Sequence, residues 1–378
     1  MTVYFDNSAT TQVSEKAAQA AFEAMRIQYG NPSSGHSLGR GAKAVLDGAR
    51  KSVAAALGAR PEEIVFTSGG TESDNWALIS AAEAGMHRGK HIISTAIEHD
   101  AVLKTLEQLK HRGFEVTLLK PDKSGYISVS EVENALREDT VLVSVMMVNN
   151  EVGSVMPVAD IARMLRARKS AALLHTDAVQ GFLKIPFSAA KLGADLISVS
   201  SHKIHGPKGA GALYIRSGTK LKPLLFGGGQ ENGLRSGTEA IPAIAGFGAA
   251  AEDGSANMER NTAQMAAVRS RTAELLRERV PEVQFIGSGA APHILCISLP
   301  GHRSEVMLNF LDSRGICVSR GSACKKGRRS HVLESMGLPP KVIDGAVRLS
   351  FSEYNTEEEA EWFAEQFAEA ARTLLGSL

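Results

Sequence analysis

From about residue 60 onward, short runs of apolar and β-branched residues alternate with longer stretches whose apolar positions recur every three or four residues. The runs are Ile64–Thr67, Ile92–Thr95, Val116–Leu119, Val141–Val148, Leu173–Thr176 and Leu196–Ser200. Between them lie amphipathic stretches such as Ala101–Arg112, Val129–Arg137 and Val158–Lys169. Strands that are apolar throughout, rather than at alternate positions, need cover on both faces, and intervening helices supply it. The pattern predicts βαβ crossovers and a mostly parallel buried sheet. The expected fold class is α/β, with a large domain over residues 15–255.

After about residue 255 the rhythm changes. Met258–Arg279 reads as a long charged helix, and strands are expected at His293–Leu299, Ile316–Ser319 and Val347–Phe351. Helices at Glu305–Ser313 and Thr356–Leu375 complete the pattern. Strands and helices are more segregated here, which predicts a smaller α+β domain over residues 256–378. Residues 1–14 have no partner in the βαβ series and are assigned to that second domain.

Composition narrows the class. Hydrophobic residues at 43% and charged residues at 22% are the balance of an ordinary globular chain, which excludes a disordered or fibrous one. Forty-two basic residues against 41 acidic leave a net charge of +1, so no general attraction to nucleic acid or to an anionic membrane is expected. The start, MTVYFDNSATT, lacks the basic-then-apolar order of a signal peptide. The uncharged stretch Ala240–Ala251 falls far short of the roughly 20 residues of a membrane span. Three cysteines, none in a CxxC pair, cannot form a disulfide framework, which predicts a reducing, cytoplasmic setting. Cysteines and histidines show no zinc-ligand spacing; His36, His87, His111 and His331 read as structural or surface residues, with His36 a weak candidate.

The nucleotide-binding glycine motifs are missing: no GxGxxG follows a strand, and GPKGAG at Gly206–Gly211 has the wrong spacing for a P-loop. Ser68-Gly69-Gly70-Thr71-Glu72-Ser73 does follow a strand and open a helix, where free N–H groups can cradle an anion. An ordinary helix cap by Thr71 or Ser73 explains that segment equally well. Asp177 falls at the end of another strand, where a buried acid needs a cation or solvent. Lys203 follows the next strand, and burial there lowers a lysine's pKa toward nucleophilic behaviour. Separately, a capping acid and a surface lysine suffice. Together, a phosphate cradle, a carboxylate and a lysine are what pyridoxal phosphate requires: an anchor, a partner for the ring nitrogen and an amine to condense with the aldehyde.

These residues resemble a known family. Tyr4–Thr11, Gly30–Ser34, Thr67–Asn75, Glu98-His99, Asn149–Gly153, His175–Gln180, Ser200–Gly209, Arg235–Glu239 and Gly321–Cys324 follow one another as in cysteine desulfurases of the NifS/IscS-like branch. That branch belongs to the class V aminotransferases, with the fold-type-I architecture of pyridoxal-phosphate enzymes, and the likeness covers nearly the whole chain. The resemblance implies roles residue by residue. Lys203 matches the lysine that holds the cofactor and shuttles protons; Asp177 matches the partner of the pyridine nitrogen, and Gln180 that of the phenolic oxygen. His99 corresponds to the imidazole stacked on the ring, and Asn149 to a side chain touching both ring oxygen and substrate. Gly70, Thr71, Ser200 and His202 match phosphate ligands, and Thr238 one donated by the second subunit of a homodimer. Arg348 matches the clamp on the substrate carboxylate, for which a bidentate guanidinium is suited.

Cys324 matches the thiolate that takes sulfur from L-cysteine as a persulfide. Its surroundings suit that work, with small residues Gly321-Ser322-Ala323 before it and Lys325, Lys326, Arg328 and Arg329 after it to favour the thiolate. A solvated loop is the plainer reading of the basic cluster. Cys296 and Cys317, inside apolar runs, read as small core residues. The likeness also implies a sulfur-acceptor protein, either an iron–sulfur scaffold or a tRNA-thiolation enzyme. A selenocysteine lyase or cysteine-sulfinate desulfinase of the same fold is the alternative activity. Three departures from the family stand out. The segment between Cys324 and Ser330 is about two residues short. Ser350–Asn355 replaces a Gly-Arg-Phe-like run. The chain ends without the C-terminal tail of the general cluster-assembly enzymes, which makes a dedicated acceptor comparably expected.

Overall fold

The computed structural model describes residues 2–320 and 329–374. Twelve strands are formed among the described residues: β1 (Val3–Tyr4), β2 (Ile64–Thr67), β3 (His91–Thr95), β4 (Glu115–Leu119), β5 (Thr140–Ser144), β6 (Leu173–Asp177), β7 (Leu196–Ser200), β8 (Gly211–Ile215), β9 (Gln284–Ile286), β10 (Ile294–Ser298), β11 (Ile316–Cys317) and β12 (Ala346–Ser350). Seven of them make the main sheet in the order β2-β8-β7-β6-β5-β3-β4. The pairs from β7 through β4 are parallel, and β8 alone runs antiparallel to both of its neighbours. The apolar runs that predicted buried strands are buried throughout in β2, β3, β5 and β7, as is the unpredicted β8, whereas β4 lies at the edge and is half-exposed.

Two helices at the start of the chain, Glu15–Arg26 and Ser37–Leu57, pack on helix Ile241–Ala256. That last helix is rich in alanine and glycine. A methyl group on Gly248 would come within 2.6 Å of Ala49 Cα, so glycine is what lets the two helices approach this closely. The sequence pattern gave no sign of the first two helices, nor of β8.

The remaining strands form a three-stranded antiparallel sheet, β12-β10-β9, and the short parallel pair β1-β11. Val3 and Phe5 join a core with Leu275, Leu295, Ile297, Val347, Phe351 and Phe363. Phe5 stands edge-on to Phe351 at 4.9 Å between ring centroids, a favourable arrangement for two π systems. Each such buried ring contributes about 1.5–3 kcal/mol by leaving water. The first strand therefore lies with the C-terminal part of the chain. Val332, Leu333, Met336, Val342 and Ile343, by contrast, pack with the core of the main sheet.

Candidate active site

The carboxyl ends of β2, β6 and β7 converge on one cavity of about 330 Å³. Because β8 runs backwards between β7 and β2, its first residue sits among their ends: Gly211 pairs with both Thr67 and Ser200. A Cβ there would meet Gly69 Cα at 2.6 Å and the Val199 carbonyl oxygen at 2.8 Å, so only glycine fits. Helix Gly70–Gly85 begins at this point. Its cap residue, Gly69, has φ 152° and no side chain to bond the first turn. The caps that Thr71 or Ser73 could have provided are not formed, and the first N–H groups remain for a ligand.

Nine of the residues assigned from sequence line the cavity: Gly70, Thr71, His99, Asp177, Gln180, Ser200, His202, Lys203 and Arg348. Ser200 Oγ is buried and makes no hydrogen bond within the chain, an orphan beside the open helix start. His202 bonds Thr10 Oγ1 at 3.1 Å, and burial, followed by Lys203 and Lys208, lowers its pKa to about 4, so the ring is neutral near pH 7. Asp177 accepts the Val179 N–H at 2.9 Å. Burial, with the nearby Asp74 carboxyl second, raises its pKa to about 7.

Lys203 Nζ donates to the carbonyls of Ser8 and Ala9 at 2.6 and 2.7 Å. Burial, reinforced by Arg348, lowers its pKa to about 8. Gln180 Nε2 donates to the same Ser8 carbonyl at 3.0 Å. His99 caps helix Asp100–His111, its Nδ1 accepting the Ala101 N–H at 3.1 Å, which places the ring proton of the neutral form on Nε2. Arg348, on β12 and nearly fully buried, donates to Asp6 Oδ1 at 2.7 Å and to the Asn150 carbonyl at 2.9 Å.

Two assigned residues are not brought to the cavity. Asn149 is buried, and its amide is committed to the loop: Nδ2 donates to the Ile97 carbonyl, while Oδ1 accepts the Glu151 and Val152 N–H groups. Its neighbour Asn150 lines the cavity instead. Two adjacent asparagines look alike in sequence; the tight turn between Val148 and Val155, bridged to each other, decides which one faces in. Thr238 is exposed and lies outside the cavity of its own chain. Cys324, with Lys325, Lys326 and Arg328, lies outside the described residues.

The chain's relatives bear directly on this arrangement. A family model for aminotransferase class-V matches residues 3–363. The chain belongs to the class-V aminotransferase family. Within it, a "Cysteine desulfurase IscS" of Methanosarcina thermophila is 42% identical over 376 residues, 98% of this chain and 92% of that protein. A "Putative cysteine desulfurase IscS 1" of Bacillus subtilis (strain 168) is 41% identical over 377 residues, 98% and 99% of the two chains. A solved structure described as a NifS-like protein superposes with a TM-score of 0.93 at 41% identity, covering 99% of this chain and 100% of its own. The fold is that of the class-V family, the fold-type-I α/β architecture.

Three further cavity residues were assigned no role in the site from sequence. Asp74, Glu151 and His331 all line the cavity. His331, read from sequence as structural or surface, donates its Nε2–H to the Glu98 carbonyl oxygen at 3.1 Å. It reaches the cavity because Ser330 caps helix His331–Ser335 and bonds Glu151. His36 proves to be a helix cap, accepting the Gly39 N–H at 3.2 Å. Cys296 is buried, and burial raises its pKa to about 12, which makes it inert; Cys317 is half-buried on β11. Arg235 forms a two-pronged pair with Glu72 at 2.9 and 3.1 Å, tying the segment before Thr238 to the cradle helix.

Proposed function

We propose that the chain is a cytoplasmic cysteine desulfurase that uses pyridoxal phosphate, converts L-cysteine to L-alanine and leaves the sulfur as a persulfide on Cys324. The observation that carries this reading is the meeting of Lys203, Asp177 and the Gly70–Ser200 cradle in one cavity with Arg348. The residues fit the cofactor: the orphaned Ser200 hydroxyl and the uncapped helix start suit a phosphate, and Asp177 suits the ring nitrogen. When bound, the cofactor supplies an electron sink that acidifies the substrate Cα and loosens sulfur at Cβ.

The chain's own groups do the rest. Arg348 binds the L-cysteine carboxylate, with Asp6 and the Asn150 carbonyl holding its guanidinium in place beforehand. Lys203, with its pKa near 8, has an appreciable neutral fraction at physiological pH and moves a proton from Cα and back. His99, with its proton on Nε2, serves as a second proton carrier at the cavity edge. At Cys324 the balance closes without an external oxidant: the substrate C–S bond breaks, an S–S bond forms, and a proton is added at Cβ.

Thr238 completes the phosphate site of a second copy in a homodimer, which agrees with its exposure outside its own cavity. The persulfide passes to an acceptor protein, an iron–sulfur scaffold or a tRNA-thiolation enzyme, with no direct contact to nucleic acid. Among the described residues no helix is long and apolar enough to cross a membrane.

The test supplies L-cysteine to the purified protein with a thiol reductant and follows alanine and sulfide. The reading expects equal yields of both, lost in Lys203→Ala and in Cys324→Ala. Full-rate alanine formation by Cys324→Ala would remove the thiol from the mechanism. A preference for selenocysteine that does not need Cys324 would favour the lyase reading.

A further inference from the structure

Beneath the cavity runs a buried polar file that the proposed reaction leaves unused. Residues two apart on a strand share a face, so His175 and Asp177 lie on the same side of β6. Ser144 of β5 is in register with His175, and Ser198 of β7 with Asp177. The fully buried His175 ring bonds Ser144 Oγ at 2.9 Å through Nδ1 and Ser198 Oγ at 3.0 Å through Nε2. Asp74 reaches this file from helix Gly70–Gly85. Its Oδ1 lies 3.5 Å from His175 Nε2, is buried and makes no hydrogen bond within the chain. Asp74 also lines the cavity together with Asp177.

Both carboxyls are buried at the same cavity and the charge of Asp74 raises the pKa of Asp177, so the two titrate as a pair. Their surroundings are not alike. Asp177 receives the Val179 N–H, which favours its charged form, and faces His99, His175 and Lys203. Asp74 meets the Ser198 hydroxyl, which offsets its burial only in part, and His175, whose pKa burial lowers to about 4, so that ring is neutral. A neutral ring offers Asp74 no positive charge to hold an anion. Glu98, raised to about 8 by burial, adds a third acid whose charge would disfavour a second anion here.

We propose that Asp74 holds the proton of this carboxyl pair against neutral His175 and leaves Asp177 as its one anion. Asp74 is thus a positioning residue for the charge that meets the cofactor ring. The inference rests on the pyridoxal phosphate reading.

The test titrates apo-protein with pyridoxamine 5′-phosphate, which cannot condense with Lys203 and so reads ring and phosphate contacts alone, from pH about 5 to 9. Asp177→Asn should lose about 10- to 100-fold in affinity across that range, the worth of one charge-assisted hydrogen bond. Asp74→Asn should keep the wild-type fall in affinity on the acid side and lack the inflection where Asp74 gives up its proton. Denaturation of apo-protein is the second readout. An acid raised from 3.8 to about 7 stabilises the fold below pH 3.8 and loses that contribution as pH rises through 7. Asp74→Asn should therefore lose less stability than wild type over this window; Asp74→Ser gives the same two readouts should the Asn variant not fold. The proposal is overturned if Asp74→Asn weakens binding like Asp177→Asn at every pH, or if its stability follows the wild-type slope. Failure of wild-type apo-protein to bind pyridoxamine phosphate would instead sink the cofactor reading, while the stability arm would still decide the state of Asp74.

Discussion

The two sides of the cavity are built differently. The proposed cofactor side comes from strand ends of one sheet, with Ser200 at the end of an apolar run and Gly70, Asp177 and Lys203 one or a few residues past one. The substrate side is gathered from far apart in the chain: Ser8 and Ala9, Asn150 and Glu151, His331, and Arg348. On the first side, backbone topology places the chemistry. On the second, packing between the C-terminal part and the main sheet places it, through bonds such as Arg348 to the Asn150 carbonyl and Ser330 to Glu151. Damage to the first side should show as lost cofactor chemistry, and damage to the second as lost substrate binding.

The sharpest way to separate them begins with Lys203→Ala, which should lower alanine formation by about 10⁴-fold or more, since both the condensing amine and the proton carrier go. Arg348→Lys should lower kcat/KM for L-cysteine by roughly 10- to 100-fold, because a point charge replaces a two-pronged clamp. Its affinity for pyridoxal phosphate, measured by titration, should stay at the wild-type value. A matching loss of cofactor would mean the two sides are not separable.

Gly211→Ala attacks the cofactor side through backbone alone. The added methyl meets Gly69 Cα and the Val199 carbonyl, so the variant should lose about 1–3 kcal/mol on denaturant unfolding and bind the cofactor more weakly. Arg235→Ala should have the smallest effect, about 1–2 kcal/mol for one partly buried pair with Glu72.

The pH dependence of the apo-protein gives an independent check. Lys203 is lowered from 10.5 to about 8, so between those values the unfolded chain holds a proton that the folded one has lost, and stability rises with pH. Lys203→Met should remove that rise, read from denaturation midpoints on the alkaline side.

The same division explains what the sequence could tell. The apolar runs at Ile64–Thr67 and Leu196–Ser200 coincide with β2 and β7, and the residues after them were legible as a site because a strand end is a fixed place in an α/β sheet. Strand β8 was not legible: Gly211–Ile215 follows β7 too closely for a crossover helix, and only the antiparallel pairing with β2 and β7 reveals it. The helices Glu15–Arg26 and Ser37–Leu57 went unread because alanines and glycines, packed on Ile241–Ala256, make much of their buried surface. Asn150, Glu151 and His331 carry no local pattern; a turn and a helix cap bring them in. Asp74 reads as one polar residue of a helix until the sheet beneath it places His175 at 3.5 Å.

The central claim is that sulfur leaves L-cysteine with one alanine formed per sulfur held by the chain. A single turnover with sulfur-labelled L-cysteine, followed by peptide mapping without reductant, tests it directly. The account predicts label as a reductant-sensitive persulfide on Cys324, in a one-to-one ratio with alanine, and none on Cys296 or Cys317. Alanine formed with no label on the chain, or label carried by a different cysteine, would contradict it.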